Sequence, residues 1–109
     1  MAIIEITENG ITAKLSIRPA TALDELRREM MMAQAIEHPS DDEVKQTMAV
    51  IFYPRCLSVT DVEINGELVK MTLEQFCELP APIFNAWWQG VIEENPRWNP
   101  ARQQDEKKT

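Results

Sequence analysis

The stretch Ile3-Ile4-Glu5-Ile6-Thr7-Glu8-Asn9-Gly10-Ile11-Thr12-Ala13-Lys14-Leu15-Ser16-Ile17-Arg18 decides the class of fold. Asn9-Gly10 accepts the positive φ angles of a type I′ turn, so residues 3–7 and 11–18 read as the two arms of an antiparallel hairpin. In the second arm Ile11, Ala13, Leu15 and Ile17 alternate with Thr12, Lys14, Ser16 and Arg18. That period puts one face in a core and the other in water. Ile4 and Ile6 supply the matching inner face of the first arm.

Downstream the period changes from strand to helix. Pro19 ends the strand, and Thr21 with Asp24 three residues on can cap a helix that runs to about Glu37. Leu23, Leu26, Met30 and Ala33 recur at helical spacing and are expected to form its buried stripe, leaving Asp24, Glu25, Arg28 and Glu29 to water. His38-Pro39 stops this helix, and Ser40 with Glu43 has capping-box spacing for the next, whose inner stripe would be Val44, Met48 and Ile51. Pro54 closes or bends that second helix. Residues 57–64 then read as a strand, Asn65-Gly66 as a second tight turn and residues 67–70 as its return, with Val62, Ile64 and Leu68 inward.

Thr72 and Gln75 form another capping box, with Met71 and Phe76 placed to staple it, and a short helix over 73–79 follows. Pro82 suits the first turn of a last helix covering 83–94, which Asn95-Pro96 ends. The order of elements predicts an α+β fold: a small single domain of antiparallel β-hairpins packed with about four helices, over residues 1–98. Residues 99–109 are polar and lack periodicity, so they read as a flexible C-terminal tail. Whether the two hairpins join one sheet stays open at this level.

Composition narrows the function. A chain of 109 residues supports one core, and eighteen Asp and Glu against eleven Lys and Arg give a net charge of −7. That sign disfavours nucleic acid as a partner. Three glycines and one histidine are too few for a phosphate-cradling loop or a two-imidazole scheme. The start lacks a basic leader followed by an apolar run, and no apolar stretch approaches the roughly 20 residues a membrane span needs, so a cytoplasmic protein is expected. Cys56 and Cys77, 21 positions apart, read as small apolar fillers rather than a redox pair.

His38 lies near Glu37, Asp41 and Asp42 but without recognisable ligand spacing, so no metal or cofactor is expected. Neighbouring carboxylates such as Asp41 and Asp42, or Glu93 and Glu94, project about 100° apart on a helix and do not converge on a substrate. No nucleophile motif accompanies the single histidine, and no catalytic residue is assigned. The protein does not read as an enzyme.

The aromatic residues point elsewhere. Trp87, Trp88 and Trp98 fall within twelve positions, in a chain with three phenylalanines and one tyrosine. On the last helix Ile83, Ala86, Trp87, Gly90 and Val91 form one face, while Phe84, Trp88 and Ile92 form an adjoining one. The apolar arc is wider than one core contact requires, and tryptophan is a frequent interface anchor. Phe84, Trp88, Ile92 and Trp98 are therefore the expected partner-binding residues, for a client segment or another copy of the chain. The competing reading keeps Trp87 in the core and packs Trp88 under the tail at Trp98.

The segments Ile17-Arg18-Pro19-Ala20-Thr21, Tyr53-Pro54-Arg55-Cys56 and Met71-Thr72-Leu73-Glu74-Gln75-Phe76 resemble the tail assembly chaperones of long-tailed phages and prophages. Glu78-Leu79-Pro80-Ala81-Pro82, followed by Trp87 and Asn95-Pro96-Arg97-Trp98, adds to the likeness, which spans roughly residues 11–98; Ala81 departs from it, an acidic residue being usual there. The resemblance implies a non-enzymatic protein in the host cytoplasm that binds the tape measure protein, the tail tube protein or both during tail morphogenesis. The alternative from the residues alone is a small acidic regulator or inhibitor, whose carboxylates occupy a basic surface of a host protein.

Overall fold

A computed structural model describes residues 1–101. Of the tail assigned to 99–109, residues 102–109 lie outside the described residues. The first hairpin forms as its turn dictates: β1 (Ala2–Glu8) pairs with β2 (Ile11–Ile17), setting Ile4 opposite Leu15 and Ile6 opposite Ala13. Asn9 and Gly10 take φ values of 51° and 77°. The second hairpin, β3 (Thr60–Ile64) and β4 (Glu67–Val69), turns in the same way at Asn65 and Gly66, with φ of 50° and 86°.

The two hairpins do share a sheet. β2 pairs antiparallel with β3, Leu15 facing Val62, and the strand order is β1-β2-β3-β4. Asn65 ties the hairpins at their turn end: its N–H donates to the Thr12 carbonyl at 2.8 Å and its Oδ1 accepts the Thr12 N–H at 2.9 Å. Inner-face residues Leu15, Ile17 and Val62 are buried. Leu68, expected inward, is exposed; the β3–β4 register sets it beside Glu63 on the outer face and gives its inward place to Val69, opposite Val62.

Among the described residues five α-helical segments complete the α+β domain. α1 (Ala22–Glu37) and α2 (Glu43–Thr47) follow β2; α2 runs through a π-helical turn, Met48–Phe52, into α3 (Tyr53–Ser58); α4 (Leu73–Cys77) and α5 (Ala81–Glu94) follow β4. A 3₁₀ turn, Pro96–Trp98, closes the described chain. α5 lies on the inner face of the sheet through Ile83, Trp87, Gly90 and Val91, all buried. A Cβ on Gly90 would sit 2.6 Å from Ile17 Cδ1 and 2.8 Å from Ile4 Cδ1, so the absence of a side chain sets how near helix and sheet approach. Trp87 is wholly enclosed, its Nε1–H donating to Thr60 Oγ1 at 2.8 Å and its ring meeting Phe76 edge-on at 5.3 Å. The capping box of α4 forms reciprocally between Thr72 and Gln75, with Met71 and Phe76 buried around it.

Between α1 and β3 the structure corrects several expectations. Asp42, not Ser40, caps α2: its Oδ1 accepts the Val44 and Lys45 N–H groups at 2.9 and 3.3 Å, while Ser40 Oγ accepts the Asp42 N–H at 3.2 Å. This start turns Val44 to solvent instead of onto the inner stripe. Pro54 does not close the helix, because Tyr53 N–H reaches back to the Met48 carbonyl across the π-turn and Pro54 falls in the first turn of α3, where a missing N–H is tolerated. Leu57 and Ser58 are accordingly helical, and the strand expected from residue 57 begins at Thr60. Cys56 is a buried filler as expected, whereas Cys77 is exposed at the end of α4.

Candidate partner-binding surfaces

α1 presents the opposite face to the one its apolar spacing suggests. Its inward side is Asp24, Arg28, Met31 and Ala35, also spaced by three and four residues. Asp24 is 2% exposed, held by Arg18 through Nε–H to Oδ2 at 3.1 Å and Nη2–H to Oδ1 at 2.9 Å. It also closes a capping box with Thr21, whose N–H it accepts at 3.1 Å. These hydrogen bonds, Arg18's first, outweigh the cost of burial and lower the Asp24 pKa to about 2. Arg18 Nη2 donates in addition to the Ser58 carbonyl at 3.1 Å, so the carboxylate docks α1 on the end of α3.

Further along the same side the Arg28 guanidinium lies over the Trp98 ring, 5.0 Å from its centroid. Gln46 then ties α2 to the end of α1, donating to the Ala35 carbonyl at 3.0 Å and accepting the Ser40 N–H at 2.8 Å. The stripe expected to be core is thereby left outside. Leu23, Leu26 and Met30 are 57%, 52% and 63% exposed, Ile36 is 64% exposed, and Ala33 is exposed with them. Two faces of α1 share helical spacing, and a single well-paired carboxylate decides between them: Asp24 has to meet Arg18, and the leucines then point away.

A second surface lies where α5 meets the π-turn. Phe52 on the turn receives Phe84 and Trp88 edge-on, at ring-centroid distances of 5.4 and 4.8 Å, and Ile92 is half-buried one helical turn beyond Trp88. Phe84, Trp88 and Ile92 thus share a half-open aromatic face with Phe52, which sequence spacing did not place there. Trp98 does not join them. It is 4% exposed, under Arg28 and with its carbonyl accepting Arg55 Nε–H at 2.9 Å, so of the four residues expected to meet a partner it is the one enclosed in the domain. The reason is a buried arginine that the sequence did not flag: Arg55 is 6% exposed and also donates to the Ile51 carbonyl at 2.8 Å.

Neither a family model, nor a curated protein, nor a solved structure matches the chain. His38 caps the C-terminal end of α1 and lines a cleft of about 490 Å³ with Met31, Gln34, Lys45 and Tyr53. Ser40 lines the same cleft, and its Oγ accepts the Asp42 N–H at 3.2 Å. Cys56 sits in the core, where burial pushes its thiol pKa up, and Lys45 is drawn instead to Glu74 on α4. No helix among the described residues is long and apolar enough to cross a membrane.

Proposed function

We propose that the protein is a tail assembly chaperone of a long-tailed phage or prophage, which binds the tape measure protein, the tail tube protein or both in the host cytoplasm. One observation carries the reading: the domain closes its core without Leu23, Leu26, Met30 and Ile36, and displays them on one helix of an acidic protein. Exposed contiguous apolar side chains mark sites of association, and a net charge of −7 would keep a complex with an apolar client soluble. The half-open face of Phe84, Trp88 and Ile92 offers a further contact to the same client. No cofactor is required for such a role.

Disrupting the gene in its phage should leave heads without tails, and co-expression should carry the tape measure or tube protein into the soluble fraction. Normal tails from the disrupted phage would end this reading. An acidic inhibitor of a basic host protein is the competing one, and the outer sheet face favours it with Glu5, Asp61 and Glu63 around Lys14. It requires binding that collapses between low and moderate salt, whereas apolar anchoring is far less salt-sensitive.

A further inference from the structure

We infer that the outward face of α1 is a coiled-coil seam that takes one amphipathic helix of a partner protein, with an apolar stripe of its own and lysine or arginine on the flank that meets Glu29. The inference rests on the chaperone reading above only for the identity of the partner; the seam itself follows from α1. Leu23, Leu26, Met30 and Ala33 stand at i, i+3, i+7 and i+10, two rows running about 15 Å along the helix at 1.5 Å per residue. Ile36, also exposed, flanks the end of these rows beside Ala33, and a stripe centred on two rows fits a single facing helix. The other side of α1 is committed to Arg18, Ser58 and Trp98 through Asp24 and Arg28, so only the seam is open.

Charge selects the occupant. Glu29 borders the seam on one edge, exposed and 4.0 Å from Arg28, and Glu37 continues the row of Leu23 and Met30 at i+14. Arg27 borders the other edge, about half exposed and 3.3 Å from an Asp24 that Arg18 also holds, so opposite charge is called for on the Glu29 side alone. A second copy is a poor fit in either direction. Antiparallel pairing of Leu26 with the copy's Met30 brings Glu29 beside Glu29 and Arg27 beside Arg27; parallel pairing sets Glu37 against Glu37 inside the seam. Like charges at these positions oppose association, and two chains of charge −7 repel as a whole. A helix with a basic flank meets Glu29 and Glu37 with opposite charge and supplies the apolar row that Leu23, Leu26, Met30 and Ala33 lack.

The test uses the full chain and a fluorescent 21-residue peptide with leucine at the seam positions and lysine on the flank that meets Glu29. Two controls are needed: the same heptads with glutamate on that flank, and the lysine peptide with its order scrambled. Saturable binding of the lysine peptide is expected, at least tenfold tighter than either control. Leu26→Asp or Met30→Asp should weaken it at least tenfold with melting temperature unchanged, the milder Leu26→Ser should weaken it less, and Trp88→Ala should leave it alone. Glu29→Lys with Glu37→Lys should turn the preference toward the glutamate peptide. Equal binding of the scrambled peptide, no saturation, or affinity indifferent to Leu26 and Met30 would each overturn the seam. So would a dimer in sedimentation that Leu26→Asp breaks, since the occupant would then be a second copy. Tail-less particles from the disrupted phage together with no peptide binding would sink the seam and leave the chaperone reading standing; peptide binding with normal tails would do the reverse.

Discussion

Trp87 and Trp88 are neighbours in sequence with different surroundings. Trp87 is enclosed, hydrogen-bonded to Thr60 and edge-on to Phe76, so Trp87→Ala removes the largest fully buried side chain and leaves the Thr60 hydroxyl without its donor. A loss of about 3 kcal/mol or more in denaturant unfolding is expected. Trp88→Ala strips only a half-open ring from Phe52 and should cost about 1 kcal/mol. Equal losses would show that both rings are core. Asp24 gives a pH signature: its folded pKa of about 2 is below the ordinary carboxylate value of 3.8, so its contribution is present above about pH 4 and is lost as pH falls toward 2. The shift corresponds to about 2 kcal/mol, and Asp24→Asn should remove that part of the acid limb of a stability–pH curve. A variant whose acid limb matches the parent's would mean that the Arg18 pairing contributes no net stability. Sequence showed Asp24 as a cap and missed it as a buried anchor, because the same Thr21–Asp24 spacing is satisfied by an exposed carboxylate; the arginine six residues upstream was the available signal.

Hairpins, the capping boxes at Thr21 and Thr72 and the proline-opened α5 were legible, since each depends on a few adjacent residues whose backbone preferences point one way, whereas the box expected at Ser40 gave way to Asp42. Elements whose outcome depends on distant partners were not. The π-turn lets α2 and α3 run on through Pro54, and nothing in Met48–Phe52 announces it. The orientation of α1 is the larger miss: apolar spacing identified a stripe correctly and its direction wrongly, since periodicity gives a face and not the partner it meets. The approach of α5 to the sheet offers a test at this scale. Gly90→Ala gains helix propensity of about 1 kcal/mol but drives a methyl into Ile17 and Ile4, 2.6 and 2.8 Å away. Both neighbours are the ends of flexible side chains, yet they sit in a packed interface, so a net loss of about 1–2 kcal/mol is expected. A stabilised Gly90→Ala protein would show that the helix–sheet gap is looser than the geometry indicates.

At the scale of the molecule the chain is closed from its C-terminal end. Asn95 donates to the Arg18 carbonyl at 3.1 Å and its Oδ1 accepts the Ala20 N–H at 2.7 Å, holding the end of α5 against the strand-to-helix connection that starts α1. Three residues later Trp98 fills the space between α1 and α3, under Arg28 and bonded through its carbonyl to Arg55. Sequence composition marks a polar C-terminal segment but not where the domain ends, because the last contact is made by two arginines that are distant in sequence and that read as surface charges. Truncation separates the two. Removing residues 102–109, which contain no large apolar side chain, should leave the melting temperature within a few degrees. Stopping after Asn95 deletes Trp98 and strands Arg55 with a buried donor. Losing a buried tryptophan costs about 3–5 kcal/mol, and each kcal/mol lowers the melting temperature of a domain this size by roughly 4–8 °C, so a fall of more than 10 °C is expected. If both truncations melt alike, Trp98 adds no net stability, and the outward face of α1 owes its direction to the Asp24–Arg18 pair and the Gln46 bond to the Ala35 carbonyl.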